Sequence, residues 1–323
     1  MTPLRIRIVT PAPRGSRTGN RITAERWARL IRLLGHRVRI STSWEAGPAD
    51  LLIALHARRS ARSVAAFSAA YPGRPLIVAM TGTDLYRDLR VERTARHSVD
   101  LATRIVLLNA EGLEELPPEA ASKAVVILQS AVPVPRPARV EPGEFRIVVA
   151  GHLREEKDPF RTLEALESLP ARSAIHVLHL GAPLDAKLGA RARRATREEP
   201  RYTWAGDVPH QRTLQIIASA EALVLSSLME GGANVISEAI VNGVPVLASR
   251  IPSSVALLGE DYPAWFEAGD TAALCRLLRR FERDAEFRER CRRAVRKLQR
   301  KFAPAREQRA WRDLIRGLAL PSS

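Results

Sequence analysis

The sequence predicts two consecutive α/β domains, each a parallel sheet wrapped by helices. Three observations carry this. Short apolar runs alternate with helical patterns along the whole chain, the rhythm is broken once by a proline-rich stretch, and the 323 residues suffice for two cores at about 150 residues per domain.

LRIRIV (4–9) reads as the first strand and runs into a Gly/Pro/Ser loop. Between Asn20 and Leu34, Trp27, Leu30, Ile31 and Leu34 recur at i, i+3, i+4 and i+7, which gives a helix with one buried face. Gly35 supplies the left-handed position that ends it, and HRVRIST resumes as a strand. DLLIAL (50–55), PLIVAM (75–80), RIVLL (104–108) and AVVILQ (124–129) are further strands, joined by helices or loops. AVPVPRPARVEPGE (131–144) interrupts the pattern. Its prolines forbid helix and central strand, so it reads as an interdomain linker. The alternation restarts with FRIVVAGH (145–152), AIHVLHL (174–180), ALVLS (222–226) and VPVLAS (244–249). A last helical stretch from Pro304 to Leu318 is expected to return to the first domain. The predicted domains are therefore 1–135, with 304–323 packing back onto it, and 136–303. Two such domains joined by a hinge place a cleft between them, with ligands at the carboxyl ends of the strands.

A composition of 46% hydrophobic and 27% charged residues excludes a disordered chain. The N-terminal residues hold no apolar run long enough for a signal sequence, and no later stretch reaches the ~18 apolar residues of a membrane span, so a cytoplasmic location without a span is expected. Cys275 and Cys291 form no metal or redox spacing and read as reduced thiols. The net charge is +16, and five lysines leave 46 arginines among the 51 basic residues. Much of that charge lies between Arg276 and Arg316, interleaved with Glu282, Glu286, Glu289 and Glu307 at helical spacing. That is the pattern of a solvated, ion-paired face. No zinc-finger spacing or basic-aromatic platform accompanies it, so no nucleic-acid partner is expected, and binding of an anionic polymer is the least favoured reading. The expected state is a monomer or homodimer.

The most informative segment is ALVLSSLMEGGANVISEAIVNGVPVLAS (222–249). A buried strand runs into Ser226 and Ser227, then Glu230, then Gly231 and Gly232, then a helix carrying Glu238 about two turns in, on the face of Asn234. Bare glycines let a backbone approach a ligand, and the helix start at Ala233, Asn234 and Val235 offers N–H groups and a positive dipole end. Together these make a diphosphate cradle. The two carboxylates can accept hydrogen bonds from vicinal hydroxyls of two sugars flanking a diphosphate. In VVAGHLREEKDPFRTLEAL (148–166), Gly151 ends a strand, and His152, Arg154 and Lys157 precede a helix expected to begin near Asp158 and Pro159. Cations there can neutralise a departing nucleoside diphosphate; alternatively, Arg154 and Lys157 pair with Glu155 and Glu156 in solvent. No Asp-x-Asp element occurs, the seven histidines show no ligand spacing, and neither a metal nor a cofactor is expected.

In the first half, TPAPRGSRTGNRITAERW (10–27) combines Gly15, Gly19 and Asn20 with Arg14, Arg17 and Arg21, a composition suited to a phosphate-like anion. The alternative is an arginine-rich surface loop. LHARRS (55–60) adds His56, Arg58 and Arg59 at another strand end, and VAMTGTDLYRD (78–88) carries the turn Thr81-Gly82-Thr83-Asp84.

These segments resemble the GT-B glycosyltransferases of the large family 4 class, whose C-terminal domain carries a Gly-Arg-Leu-x3-Lys-Gly element and a Glu-x7-Glu motif before an Ala-x-Gly-x-Pro-Val run. Glu230 and Glu238 stand at that spacing, and Asn242-Gly243-Val244-Pro245-Val246 matches the tail. Lys157 matches the family lysine, His152 occupies its arginine position and Asp158 its following glycine; either His152 or Arg154 replaces that arginine. The resemblance implies a GT-B architecture and metal-independent transfer from a sugar nucleotide, with Glu238 on the nucleotide ribose and Glu230 on the donor hexose. TWAGDVPH (203–210) resembles the family's nucleobase turn, which implicates Asp207 and Val208. Family members often place a histidine where this chain has Thr81; without one, a nucleophile already anionic at neutral pH is implied, although His56 could substitute.

A narrower resemblance runs over nearly the whole chain. GSRTGNRITAERWARL, ALHARRS, TGTDLYRD, AGHLREEKDP and LLGEDYPAWFEAGD are similar to the selenosugar synthases of selenoneine biosynthesis. That resemblance implies transfer of a hexosyl or N-acetylhexosaminyl group from a UDP-sugar, such as UDP-N-acetylglucosamine, to selenophosphate, giving a 1-selenosugar. Thr81 and Thr83 would then serve an anionic acceptor, and Lys157, Arg154 and Glu230 the transfer step. The competing enzyme reading is a family 4 transferase acting on a sugar, lipid or small hydroxyl acceptor.

Overall fold

A computed structural model of the chain describes residues 2–135 and 145–318. These divide into two compact units. The first holds the described residues up to Ser130, Glu230–Gly232 and those from Pro304 on; the second holds the rest. Within the span 136–303 expected for the second domain, Glu230–Gly232 thus group with the first unit. Most of the expected linker, 136–144, lies outside the described residues.

The first unit runs β1 (Arg5–Val9), α1 (Gly19–Leu33), β2 (Arg37–Ser41), β3 (Leu51–Leu55), α2 (Ala61–Ala70) and β4 (Leu76–Ala79). A π-helical turn (Asp84–Asp88) follows, then α3 (Leu89–Val91), α4 (Arg93–Leu101), β5 (Arg104–Leu107), α5 (Pro118–Ala121) and β6 (Ala124–Val126). Its six strands are all parallel in the order β2-β1-β3-β4-β5-β6. Because side chains alternate along a strand, Leu51, Ile53 and Leu55 meet α1 on one face, whereas Leu52 and Ala54 meet Phe67 and Val99 on the other. Both faces are therefore apolar, as the continuous runs predict.

The second unit runs β7 (Phe145–Ala150), α6 (Arg161–Glu167), β8 (Ile175–Leu180), α7 (Ala186–Glu198), β9 (Tyr202–Gly206), α8 (His210–Ser219) and β10 (Ala222–Leu225). It continues with α9 (Asn234–Val241), β11 (Val246–Ser249), α10 (Pro252–Leu258), β12 (Trp265–Phe266), α11 (Thr271–Arg283) and α12 (Ala285–Leu298). Its parallel sheet has the order β12-β11-β10-β7-β8-β9. Two of these strands depart from the sequence expectation. Residues 203–206, read as part of a turn, belong to the edge strand β9, whose half-exposed face gives no apolar run. The two-residue strand β12 is too short for a periodic signal.

The last helix, α13 (Pro304–Arg316), is built into the first unit. Trp311 stacks edge-on against Trp27 of α1, with ring centroids 4.7 Å apart. Buried Glu307 accepts from Trp27 Nε1 at 2.7 Å and from the Ser130 backbone N–H at 2.9 Å, and pairs with Arg26 at 3.1 Å. A buried carboxylate is tolerated because each partner offsets its desolvation.

Candidate functional site

Sheet order alone marks where ligands go. In open parallel sheets they bind beyond the carboxyl ends of two adjacent strands whose connections leave in opposite directions. In the first unit that reversal lies between β1 and β3; in the second, between β7 and β10. The segments that follow these strands are 10–18 and 56–60 in the first unit, and 151–158 and 226–229 in the second. These are the segments that the sequence singles out.

In the second unit, Gly151 follows directly on β7, and the Lys157 side chain passes beside it, Cδ lying 3.8 Å from where a Gly151 Cβ would sit. Ser226 Oγ donates to the Lys157 and Asp158 carbonyls at 3.2 and 2.9 Å, and the Leu228 N–H donates to the Glu156 carbonyl at 2.9 Å. Ser226 and Leu228 therefore fasten the lysine turn to the segment that follows β10. The turn Glu155–Lys157 is 3₁₀, and the α-helix starts at Arg161, later than the expected Asp158–Pro159. The delay has a cause: Asp158 adopts φ +43°, the left-handed region, and its carboxylate accepts from Arg161 Nε at 2.7 Å. Half-buried His152 accepts the Ala182 N–H on Nδ1 at 3.0 Å, so its neutral ring carries the proton on Nε2. His152 is thus fixed as a dipolar group, and fixed positive charge in this segment comes from Arg154 and Lys157.

Helix α9 begins at Asn234, and its cap Ala233 offers no side-chain acceptor; the first turn, including Val235, carries no acid. Its N–H groups and positive dipole end suit an anion. Because the helix starts at Asn234, Glu238 lies one turn in, not two. Its Oε1 stands 2.8 Å from Nε2 of His210, the first residue of α8. Just before His210, Asp207 is exposed and Val208 half-buried in the turn after β9.

Glu230, Gly231 and Gly232 sit in the first unit, and there the glycine pair has a different cause from the one expected. A Cβ on Gly231 would stand 2.3 Å from the Thr81 carbonyl oxygen and 2.6 Å from the Gly82 nitrogen; one on Gly232 would stand 2.4 Å from Leu108 Cβ. Protein, not vacant ligand space, fills both positions. Asn109 at the end of β5 fastens the loop by donating to the Gly231 carbonyl, while its Oδ1 accepts from the Gly112 N–H at 3.0 Å. Buried Glu230 lies close enough to Tyr86 to help raise its phenol pKa, although burial is the main cause.

In the same unit, Asp84 organises the Thr81–Thr83 turn. Its Oδ1 accepts from the Thr81 and Gly82 N–H groups at 2.8 and 2.9 Å, and its Oδ2 from the Ala57 N–H at 2.9 Å. His56 is buried at φ +72°, with Nε2 at 3.2 Å from Thr83 Oγ1 and Nδ1 at 3.9 Å from Asp84 Oδ2. Burial lowers its pKa against the opposing pull of Asp84, so the ring is neutral at pH 7. Arg14 and Gly15 are exposed in the loop after β1, where Gly15 adopts φ +82°. Gly19, Asn20 and Arg21 form the first turn of α1, which has neither an acidic residue nor a side-chain cap. Arg21 departs from the expected loop position: its side chain is largely buried and its Nε donates to Glu25 at 2.7 Å.

Among the described residues no three His, Cys, Asp or Glu side chains group as a metal site, and no helix is long and apolar enough to cross a membrane. Sequence reasoning missed His210, Asn109 and the role of Asp84. Only Asp84 carried a signal, as the acid three residues beyond Thr81.

The two parallel six-stranded sheets define an α/β protein of GT-B architecture, as three solved structures show. They are Anabaena Alr3699/HepE in complex with UDP and glucose (TM-score 0.76, 15% identity, 98% of this chain and 100% of that one), sucrose-phosphate synthase (tll1590) from Thermosynechococcus elongatus (0.76, 16%, 98% and 99%), and a glycosyltransferase from Rickettsia africae ESF-5 (0.76, 13%, 100% and 100%). At such identities the likeness is one of fold. The chain belongs to the family of glycosyl transferases group 1, whose model matches residues 135–298, just over half its length. No curated protein matches it.

Proposed function

We propose that this glycosyltransferase moves a hexosyl or N-acetylhexosaminyl group from a UDP-sugar to selenophosphate. Support for the donor comes from α9, whose first turn carries no acid and whose positive dipole end suits the diphosphate, and whose Glu238 suits a ribose diol. The similar Anabaena protein was solved with UDP and glucose. Arg154 and Lys157 would offset charge on the departing UDP.

One observation carries the acceptor assignment: the carboxylate that follows the Thr81–Thr83 turn, Asp84, is engaged by three backbone N–H groups and so is not free to act as a base. A soft anion needs no base. The selenium atom attacks C1, the C1–Se bond forms as C1–O breaks, and UDP leaves with the electron pair; water then cleaves P–Se to release phosphate. Arg14 and the N–H groups of Gly15, Gly19 and Asn20 suit the phosphate group. A second reading, transfer to a hydroxyl acceptor, is favoured by His56, a neutral imidazole hydrogen-bonded to Thr83.

The test is UDP release from UDP-N-acetylglucosamine and other UDP-sugars, each with selenophosphate or with a panel of alcohols. Release that requires selenophosphate supports the first reading, and release that ignores it but needs an alcohol supports the second. No release with any pair would remove both.

A further inference from the structure

His210 follows directly on the turn Asp207–Pro209 and opens α8. Its Nε2 is 2.8 Å from Glu238 Oε1 on α9, with side-chain exposures of 40% for the histidine and 9% for the glutamate. An ionised carboxylate only accepts, so the imidazole carries its proton on Nε2 and donates. One glutamate oxygen is thereby held by a residue adjacent in sequence to the turn that resembles a nucleobase site.

We infer that His210 is a positioning residue that aims Glu238 at the ribose hydroxyls of the donor nucleotide and so selects ribonucleotides; this rests on the UDP-sugar reading above. Glutamate has three rotatable side-chain bonds, and an unrestrained carboxylate must be ordered each time a diol binds. A hydrogen bond made beforehand removes part of that ordering cost. Oε2 and the second lone pair of Oε1 still leave two acceptor positions for two hydroxyl donors. A nucleotide without those hydroxyls gains nothing from the aim. The effect of His210 should therefore depend on the sugar of the nucleotide, which a purely structural role would not produce.

The experiment is calorimetric titration of UDP and of 2′,3′-dideoxy-UDP into the full-length wild type, His210→Ala and His210→Gln. UDP affinity is expected to fall about tenfold in His210→Ala, the scale of one charge-assisted hydrogen bond, with dideoxy-UDP changing less than about twofold. His210→Gln, whose amide can donate to Glu238, should recover UDP affinity to within about threefold of wild type. Equal weakening of both nucleotides, or wild-type UDP affinity in His210→Ala, would overturn the inference while leaving the donor reading intact. A wild type that binds no UDP would overturn both.

Discussion

Each unit holds a buried acid beside a histidine at the carboxyl end of its sheet, and the two pairs are built for different work. Asp84 is fully buried, stands 3.9 Å from His56, and accepts three backbone N–H groups. Glu238 is 2.8 Å from a half-exposed His210 and lies behind a helix start with no acidic residue. An acid whose acceptors are filled by its own backbone shapes a turn. In the proposed reading, an acid held by one movable side chain keeps acceptors for a ligand. The two are alike in sequence, as acids near glycines, and differ in what surrounds them.

The sharpest way to break this contrast is Asp84→Ala. Leaving three N–H groups, two of them buried, without an acceptor should cost about 3–4 kcal/mol in urea unfolding, with UDP affinity of the folded fraction changed less than about threefold. Loss of UDP binding at undiminished stability would reverse the roles of the two acids.

Acidification probes the buried histidines next. Burial lowers His36 and His56 in the first unit and takes His179 in the second to about 4. Each is neutral when folded, whereas the unfolded chain takes up a proton near pH 6.5, so their stability contribution is intact above about 6.5 and is lost as pH falls below it. For His179 the loss reaches about 3 kcal/mol near pH 4. Urea unfolding of His179→Phe should be less steeply pH-dependent than wild type between about pH 6.5 and 4; an identical slope would contradict the assignment.

Gly231→Ala is expected to cost about 2 kcal/mol, because its Cβ would meet the Thr81 and Gly82 backbone at 2.3 and 2.6 Å, where no flexible side chain can yield. Wild-type stability in that variant would return the glycine pair to the ligand-facing role read from sequence.

Both sheets were legible in the sequence because buried parallel strands are continuous apolar runs, and 222–226 or 50–55 have no other plausible reading. Strands β9 and β12 were not: one is a half-exposed edge, the other two residues long. Glu230 and Glu238 stood out through their spacing, and the cations of 151–158 through their place after a strand. What the glycine pair touches was not legible, since Thr81 and Leu108 lie far away in sequence and meet it only in the folded unit. His210 was invisible for the same reason: 28 residues separate it from Glu238, and no periodicity links them.

The central claim is that Glu238 faces a nucleotide and not the fold, and calorimetric titration of UDP into wild type and Glu238→Ala tests it most directly. Affinity should fall about 30-fold in the variant, roughly 2 kcal/mol, with unfolding free energy within about 0.5 kcal/mol of wild type. Unchanged UDP affinity, or a variant that fails to fold, would contradict it.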